Sequence, residues 1–300
     1  MLKLSICFLL FCFIRPAFPQ DVKEFSNAAF LKKLKSDKSY SELKSEIVSG
    51  FAHTPAGRWG EFVNGVDELL LTEKKVIAFT FDACGGKNGN GYDKELIDFL
   101  QKEKIPATLF VSGRWIDSHF SVFLNLSSDS LFEIENHGLN HRPCSIDGKM
   151  IYGIKGTSNI GEAFDEVEAN ARKIEGITKH RPRLYRSATA YMDEACAAMA
   201  ARLGITPVSY RVLSGDAVPF TPEQVIEENV VKNVVPGAIV IMHFNHPDWN
   251  TKEAMEKIVP RLREMGYSFV LLKEFQLISI NNKLKSKLIL KAGTESKKTK

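Results

Sequence analysis

The sequence predicts an α/β barrel of about seven strands, and three observations support this. From Val76 onward, short apolar runs alternate with amphipathic stretches of helical length. Strands that alternate with helices of ~10–15 residues form parallel sheets. The 300 residues accommodate a barrel, which needs ~250 residues, together with flanking segments. The side chains best suited to chemistry stand at or just after the carboxyl ends of predicted strands, where barrel enzymes carry their active sites; they are Asp82, His137, Arg186 and His243.

The predicted elements alternate regularly along the chain. The strands are expected at residues 76–82, 107–112, 131–135, 184–186, 207–213, 238–243 and 268–272. The helices are expected at residues 93–104, 114–126, 162–174, 193–203, 222–232 and 252–265. Because side chains alternate along a strand, Asp82 shares a face with Ala78 and Thr80, opposite the large apolar side chains. We therefore expect the apolar face to meet the helices and Asp82 to point into the mouth of the barrel.

Four segments are expected along the chain. Residues 1–19 have a short basic start and a charge-free apolar run that is too short to span a bilayer comfortably, which is typical of a signal peptide. An uncleaved anchor is the alternative. Residues 20–72 are predicted to form a helical accessory segment, 73–280 the barrel, and 281–300 a basic, disordered tail. This arrangement predicts a secreted or periplasmic protein without a membrane span after cleavage.

Charge and cysteine usage exclude some classes of protein. The net charge of +4 is small and concentrated in the tail, which argues against a dedicated nucleic-acid-binding protein. Of five cysteines, three lie beyond the predicted signal peptide, and this odd number argues against a disulfide scaffold. Free thiols are favoured, and a bridge between Cys84 and Cys144 stays open.

His137 and His141 are four residues apart, a spacing that puts two imidazoles on one side of a helical turn. A single divalent metal ion takes two nitrogen ligands in this way. The alternative is that two loop histidines fall four apart by chance. The neighbouring strand ends, with Asp82 and His243, favour the metal.

From residue 76 to about 272, the chain resembles the polysaccharide deacetylases that carry a NodB-like homology domain, carbohydrate esterase family 4. Five segments resemble the family's motifs in the right order: Thr80-Phe-Asp82-Ala83 (Thr-Phe-Asp-Asp in the family), Glu133-Ile-Glu-Asn-His137-Gly-Leu-Asn-His141, Arg186-Ser-Ala-Thr-Ala-Tyr191, Ser214-Gly-Asp216 and Ile241-Met-His243. The resemblance implies a distorted (β/α) barrel that removes N-acetyl or O-acetyl groups from an extracytoplasmic polysaccharide such as peptidoglycan or an exopolysaccharide.

The resemblance also implies a role for each matching residue. His137 and His141 would hold a divalent metal, commonly zinc in the family. Asp82 would be the general base and Arg186 would orient it. His243 would protonate the leaving amine, with Asp216 tuning the pKa of His243.

Two departures from the family pattern leave alternatives open. Ala83 stands where the family has a metal-binding aspartate, and alanine cannot coordinate a metal. Asp93, at the start of the next predicted helix, is either a displaced third ligand or only the helix N-cap, and Asp82 could itself be the ligand. The segment after Arg186 also lacks the family's proline. A catalytically impaired relative that binds glycan is therefore the alternative function.

Overall fold

The computed structural model describes residues 22–280. The predicted signal peptide and basic tail lie outside these residues. Within residues 22–280, no helix has the length and apolar character needed to cross a bilayer.

After two N-terminal helices, strands and helices follow one another along the chain. The α-helices are α1 (Asn27–Ser36), α2 (Lys38–Gly50), α3 (Lys94–Lys102), α4 (Gly113–Ser118), α5 (Phe120–Ser128), α6 (Ile160–Phe164), α7 (Asn170–Thr178), α8 (Glu194–Arg202), α9 (Glu223–Asn233) and α10 (Thr251–Glu264). The strands are β1 (Trp59–Gly60), β2 (Leu69–Leu70), β3 (Val76–Ala83), β4 (Ala107–Val111), β5 (Phe132–Asn136), β6 (Met150–Ile151), β7 (Ile154–Lys155), β8 (Leu184–Tyr185), β9 (Met192–Asp193), β10 (Thr206–Pro207), β11 (Val212–Leu213), β12 (Ala238–His243), β13 (Ser268–Phe269) and β14 (Leu277–Ile278).

The main sheet follows the order β10-β8-β5-β4-β3-β12-β2-β14, with β11 beside β12 and β13 beside β3. The strands from β10 to β12 in this order pair in parallel, whereas β2 pairs antiparallel with β12 and β14. The predicted distorted (β/α) barrel is confirmed. Because neighbouring strands are parallel, their carboxyl ends meet at one edge of the sheet. In the register of β3 and β12, Asp82 lies directly opposite His243.

Alternation along β3 separates the apolar core from the site. Phe79, Phe81 and Ala83 pack outward into a large cluster with the helices that cover the sheet. Ala78 packs on the other face, in a smaller cluster within the barrel. Asp82, the penultimate residue of β3, therefore points to the mouth, as the alternation predicts.

The region predicted as one helix over 162–174 is instead three helical pieces. A π-helical turn, Asp165–Ala169, separates α6 from α7. Such turns contain one extra residue per hydrogen-bonded turn and occur often at functional sites. The strand predicted over 207–213 is also divided, into β10 and β11, because the two pieces pair with different strands.

The N-terminal segment forms the expected helices α1 and α2, but its last residues join the sheets. Strand β2 extends the main sheet beside β12, and β1 pairs with β9. The two helices bury Phe30, Leu34, Tyr40 and Ile47 in a cluster with α6, α7 and α8. The helical segment and the barrel thus share apolar contacts.

Candidate active site at the carboxyl ends of the strands

Asp82 and Arg186 form a buried ion pair at the centre of the barrel mouth. Arg186 Nη1 donates to Asp82 Oδ1 at 2.8 Å, and neither side chain is accessible to solvent beyond a few per cent. The same Nη1 donates to Thr80 Oγ1 at 2.8 Å, while Nη2 donates to the carbonyl of Ser209 at 2.9 Å. The guanidinium also lies 4.2 Å from the ring centroid of Phe110. These contacts fix the guanidinium, and with it the carboxylate.

The charge of Asp82 is set by two opposing effects. Burial alone would raise the pKa of this carboxyl group, but the positive charge of Arg186, with further contributions from His137 and His243, lowers the pKa below its ordinary value. Asp82 is therefore ionised at neutral pH. An ionised, fixed carboxylate is suited to accept a proton or to bind a cation.

His137 and His141 lie on a loop after β5 and not on a helical turn, so the helical part of that expectation was wrong. The two rings are nevertheless close, with centroids 4.9 Å apart. The loop turns because Gly138 has φ +83° and His141 has φ +53°, both in the left-handed region. A Cβ atom at Gly138 would lie 2.5 Å from Glu166 Oε1, so this position requires glycine.

The buried side chain of Glu166, on the π-helical turn, holds this loop. Its Oε1 accepts the backbone N–H groups of Asn140 at 2.9 Å and Arg142 at 3.0 Å, on either side of His141. Its carbonyl accepts the N–H of Leu139 at 2.9 Å. Burial raises the pKa of the Glu166 carboxyl group to about 7, although the bonded N–H groups act in the opposite direction.

The ring of His137 is oriented by the backbone of Arg186. His137 Nδ1 lies 2.8 Å from the Arg186 carbonyl, which can only accept, so Nδ1 carries the proton and Nε2 presents a lone pair. Nε2 lies 3.8 Å from Asp82 Oδ2, too far for a hydrogen bond. Two electron-pair donors, His137 Nε2 and Asp82 Oδ2, thus face each other at the mouth of the barrel without a hydrogen bond between them.

His243 and Asp216 form a second pair on the other side of Asp82. His243 Nδ1 lies 3.2 Å from Asp216 Oδ1, and Asp216 Oδ2 accepts the backbone N–H of His243 at 2.7 Å. The hydroxyls of Ser214 and Thr251 also donate to Asp216, at 2.8 and 3.2 Å. Burial alone would lower the pKa of His243, but the charge of Asp216 raises it above its ordinary value.

Cys84 is a residue of the site that the motifs do not indicate. Among the described residues, Cys84, His137 and His141 form a group whose potential ligand atoms all lie within 4.8 Å of one another. Cys84 is a free thiol, and burial raises the pKa of its thiol. The other two described cysteines, Cys144 and Cys196, are also free and lie in an apolar cluster that does not contain Cys84.

Asp93 is the N-cap of α3. Its Oδ1 accepts the N–H of Leu96 at 2.9 Å, and burial raises the pKa of its carboxyl group to about 6. The structure does not bring Asp93 into the group that Cys84 forms with the two histidines. Its role as a displaced ligand stays a prediction.

The donors at the mouth fit a divalent metal ion. The Nε2 atom of His141 is buried and has no hydrogen-bond partner among residues 22–280, and a buried polar atom without a partner costs about 1–3 kcal/mol. Burial lowers the pKa of both histidines, so both rings are neutral and able to coordinate. A cation between these rings would occupy the unpaired nitrogen.

Aromatic side chains pack together in one group around Tyr191, and another aromatic side chain contacts His243. Tyr191 packs on Trp59 and on Tyr152, with ring centroids 5.8 and 6.1 Å apart, and Tyr152 is largely exposed. Trp249 packs edge-on against His243 at 5.7 Å. Trp115, by contrast, is fully buried and belongs to the core.

The fold and these strand-end residues define an α/β barrel with two buried pairs, Asp82 with Arg186 and Asp216 with His243, beside the pair of histidines. A family model described as polysaccharide deacetylase matches residues 71–208. This match covers less than half of the chain, and it lies within the barrel, which is therefore similar to the polysaccharide deacetylases.

Known relatives include both a named deacetylase and a pseudoenzyme. The chain is 26% identical over 204 residues to a peptidoglycan-N-acetylglucosamine deacetylase of Bacillus cereus, covering 67% of this chain and 88% of the relative. It is 24% identical over 196 residues to the uncharacterized protein YlxY of Bacillus subtilis, covering 65% and 56%. A crystal structure of a family 4 carbohydrate esterase pseudoenzyme from Bacillus anthracis has a TM-score of 0.56 at 24% identity, covering 67% of this chain and 65% of that chain. The chain thus spans less than two thirds of the last two proteins.

Proposed function

We propose that the chain is a metal-dependent hydrolase that removes N-acetyl or O-acetyl groups from an extracytoplasmic polysaccharide such as peptidoglycan or an exopolysaccharide. The observation that carries this proposal is the pairing of Asp82 and His243 on adjacent strands, each held by its own partner. Arg186 keeps the first side chain ionised, and Asp216 raises the pKa of the second. A proton acceptor and a proton donor beside a histidine pair are what amide hydrolysis requires.

Each residue has a defined task in this proposal. A divalent metal, with zinc the first choice, would be held by His137 and His141, where it would polarise the acetyl carbonyl and lower the pKa of water. Asp82 takes a proton from the attacking water. His243 keeps Nδ1 bonded to Asp216 and uses Nε2 to protonate the leaving amine, or the leaving alcohol of an ester. The products are acetate and a sugar with a free amine or hydroxyl group.

Aromatic side chains support the proposed substrate, and the N-terminal sequence supports the proposed location. Tyr152, Tyr191 and Trp59 form a group of aromatic rings, and sugars stack on the faces of such rings. The apolar run within residues 1–19 supports export, so we place the protein in the periplasm or outside the cell.

Glycan binding without turnover is the second candidate function. Ala83 supplies no carboxylate, and a structural neighbour is a pseudoenzyme. The hydrolase and the glycan-binding protein would share a fold and a class of ligand, but only the hydrolase would release acetate.

The experiment is to incubate the Zn²⁺-loaded chain with N-acetylated peptidoglycan, chitooligosaccharides and O-acetylated xylan, and to measure released acetate. A His243→Ala variant is the control, because it removes the proposed acid without touching the histidine pair. Acetate released by the wild type and lost in the variant supports the enzyme. Glycan retained on the protein without acetate release from any substrate supports the binding candidate and contradicts the enzyme.

A further inference from the structure

We propose that the Cys84 thiolate is the third protein ligand of a metal ion that His137 and His141 hold, in the role that the family pattern gives to an aspartate at position 83. The inference rests on the proposed metal-dependent function for its importance, but metal binding can be measured without any substrate.

The arrangement of donors supports a single shared ion. The potential ligand atoms of the three side chains lie within 4.8 Å of one another. Ligand atoms on one tetrahedral zinc ion lie roughly 3.5 Å apart, since each is ~2.0–2.3 Å from the metal. The three groups therefore need only small side-chain rotations to bind one ion.

The backbone explains why Cys84, and not residue 83, faces the histidines. Ala83 is buried in the outer apolar cluster beside Phe79 and Phe81. Alternation then returns Cys84 to the face that carries Asp82. Ala83 has no donor atom and lies on the apolar side of this strand, so a ligand at this end of β3 is supplied by the next residue, Cys84.

The residues after Cys84 hold it in place. Gly85 has φ +70° and turns the chain, and its N–H donates to the Gly89 carbonyl at 2.8 Å. Ser112 Oγ donates to the Cys84 carbonyl at 2.7 Å and accepts the Trp115 N–H at 3.2 Å. The loop is therefore anchored to the start of α4.

A second contact anchors the far side of this loop. Asn245, two residues after the end of β12, donates from Nδ2 to the Gly89 carbonyl at 2.7 Å, and its main-chain carbonyl accepts the Gly91 N–H at 3.0 Å. A Cβ atom at Gly89 would lie 3.2 Å from the Cys84 Cβ. The thiol thus has a fixed neighbour on its loop side and the histidines on the other.

An independent observation indicates that a ligand binds beside the thiol. His141 Nε2 is buried and has no hydrogen-bond partner within the described part of the chain, and the His141 backbone is held in the left-handed region at φ +53°. Strained backbone of this kind is kept where the surrounding structure requires it, often at ligand sites. A cation shared with Cys84 would satisfy the imidazole nitrogen.

The donor set predicts which metals bind. A thiolate with two imidazoles suits Zn²⁺ and Co²⁺, whereas Mg²⁺ and Ca²⁺ take oxygen ligands. Three protein ligands leave the fourth position open for water or substrate, as catalytic zinc sites do.

The test is titration of the metal-free full chain with Co²⁺ alone and with Zn²⁺ alone. Thiolate ligation to Co²⁺ produces a charge-transfer absorption band in the near ultraviolet, and imidazole ligation does not. We expect one Co²⁺ per chain with this band. We expect Cys84→Ser to lose the band and to bind Zn²⁺ at least ~10-fold more weakly, the scale on which perturbed metal sites lose affinity. Cys196→Ala, which removes a free thiol outside the group that Cys84 forms with the histidines, should keep the band and the Zn²⁺ affinity.

Asp93→Asn distinguishes the competing ligand. Asparagine also caps helices well, so the start of α3 stays satisfied. Unchanged Zn²⁺ affinity in Asp93→Asn together with weak binding in Cys84→Ser supports the thiolate. Weak Zn²⁺ binding in Asp93→Asn, together with unchanged Zn²⁺ affinity in Cys84→Ser and no thiolate band in the wild type, overturns it.

The outcomes separate this inference from the proposed function. Metal binding without the thiolate band, accompanied by acetate release, overturns the Cys84 ligand and leaves the hydrolase standing. The thiolate band without acetate release from any glycan supports the ligand and contradicts the hydrolase. Circular dichroism of each variant confirms that the fold is retained.

Discussion

Asp82 has two possible roles at this site, because an ionised carboxylate 3.8 Å from a histidine nitrogen could accept a proton or bind a metal. Its contacts favour the first role. One carboxylate oxygen of Asp82 already accepts a hydrogen bond from Arg186, and both side chains are buried away from solvent. A general base of this kind contributes about 10²–10⁴-fold to a rate.

Asp82→Asn should lower the rate of acetate release by about 10²–10⁴-fold, because the amide cannot accept the proton. Bound zinc should remain close to one per chain. Thr80→Val is the control, since it removes another acceptor of the Arg186 guanidinium but keeps the carboxylate. Loss of zinc in Asp82→Asn, measured by elemental analysis, would show that Asp82 is a ligand.

Asp216→Asn should shift the pH profile of activity. The charge of Asp216 raises the pKa of His243, so its removal lowers that pKa. His243 acts as an acid only when protonated, and activity is lost as pH rises through its pKa. The alkaline limb of kcat/KM should therefore move to lower pH. Asp248→Asn, an exposed carboxylate 3.7 Å from His246, should leave the limb in place.

At the scale of elements, the loop that follows β3 depends on its glycines. A Cβ atom at Gly85 would lie 2.6 Å from the Trp115 nitrogen, and φ there is +70°. Gly153 has a similar φ of +74° but nothing within 4 Å of a Cβ atom. The two positions therefore share the backbone strain and differ in the steric clash.

Gly153→Ala should cost about 1 kcal/mol of unfolding free energy, the ordinary cost of alanine at positive φ. Gly85→Ala should cost more and should weaken Zn²⁺ binding, because the clash displaces the loop that carries Cys84. Urea unfolding and zinc titration measure both quantities. Equal losses of stability in the two variants, with unchanged zinc affinity, would contradict the anchoring of this loop.

Glu166→Gln should change how stability depends on pH. Burial raises the pKa of Glu166 to about 7, above the ordinary value of 4.5. A carboxyl group whose pKa is raised in the folded state stabilises the fold below about pH 4.5, and this stability is lost as pH rises through about 7. The glutamine variant lacks this loss, so it should gain stability relative to the wild type between about pH 5 and about pH 8.

Urea unfolding at these two pH values measures the difference. The partly exposed Glu162, on α6, provides the control, and Glu162→Gln should show no such gain. A constant difference between wild type and Glu166→Gln across the range would contradict the raised pKa.

The convergence of Asp82, His137, Arg186 and His243 was predictable, since each stands at the carboxyl end of a parallel strand. Cys84 could have been found by extending the alternation of β3 two residues past Asp82. The left-handed backbone conformation of His141 and the π-helical turn could not have been predicted. They depend on Glu166, which contacts residues 24 and 26 positions away along the chain. The local sequence pattern does not indicate contacts between residues so far apart.

At the scale of the whole molecule, α1 is tied to the site. Asn27 Nδ2 donates to the carbonyl of Leu139, in the loop between the two histidines, at 2.6 Å. Asn27 Oδ1 accepts from the buried Lys173 at 2.7 Å, and Lys173 also donates to the Gly113 carbonyl at 3.0 Å. One side chain thus joins the N-terminal helices, the histidine loop and α7.

Thermal unfolding should therefore be a single transition. The three tryptophans, Trp59, Trp115 and Trp249, all lie after α2, so their fluorescence reports on the barrel, whereas far-ultraviolet circular dichroism also reports on α1 and α2. The two signals should change together, and Asn27→Ala should lower both midpoints equally. Ser26→Ala, at a partly exposed neighbour, should lower neither. Loss of helix before the change in fluorescence would show that the helices unfold separately.

The pairing of β3 with β12 also determines when the site can exist. Thr80 Oγ1 donates to the carbonyl of Val240 across 160 residues of sequence. At ~5–20 residues per second, a ribosome needs roughly 10–30 s to add that much chain. For that time β3, with Asp82 at its end, has one edge without its partner strand. The unpaired edge of a strand can form hydrogen bonds with other chains. This protein therefore most needs a chaperone in the interval before β12 is synthesised.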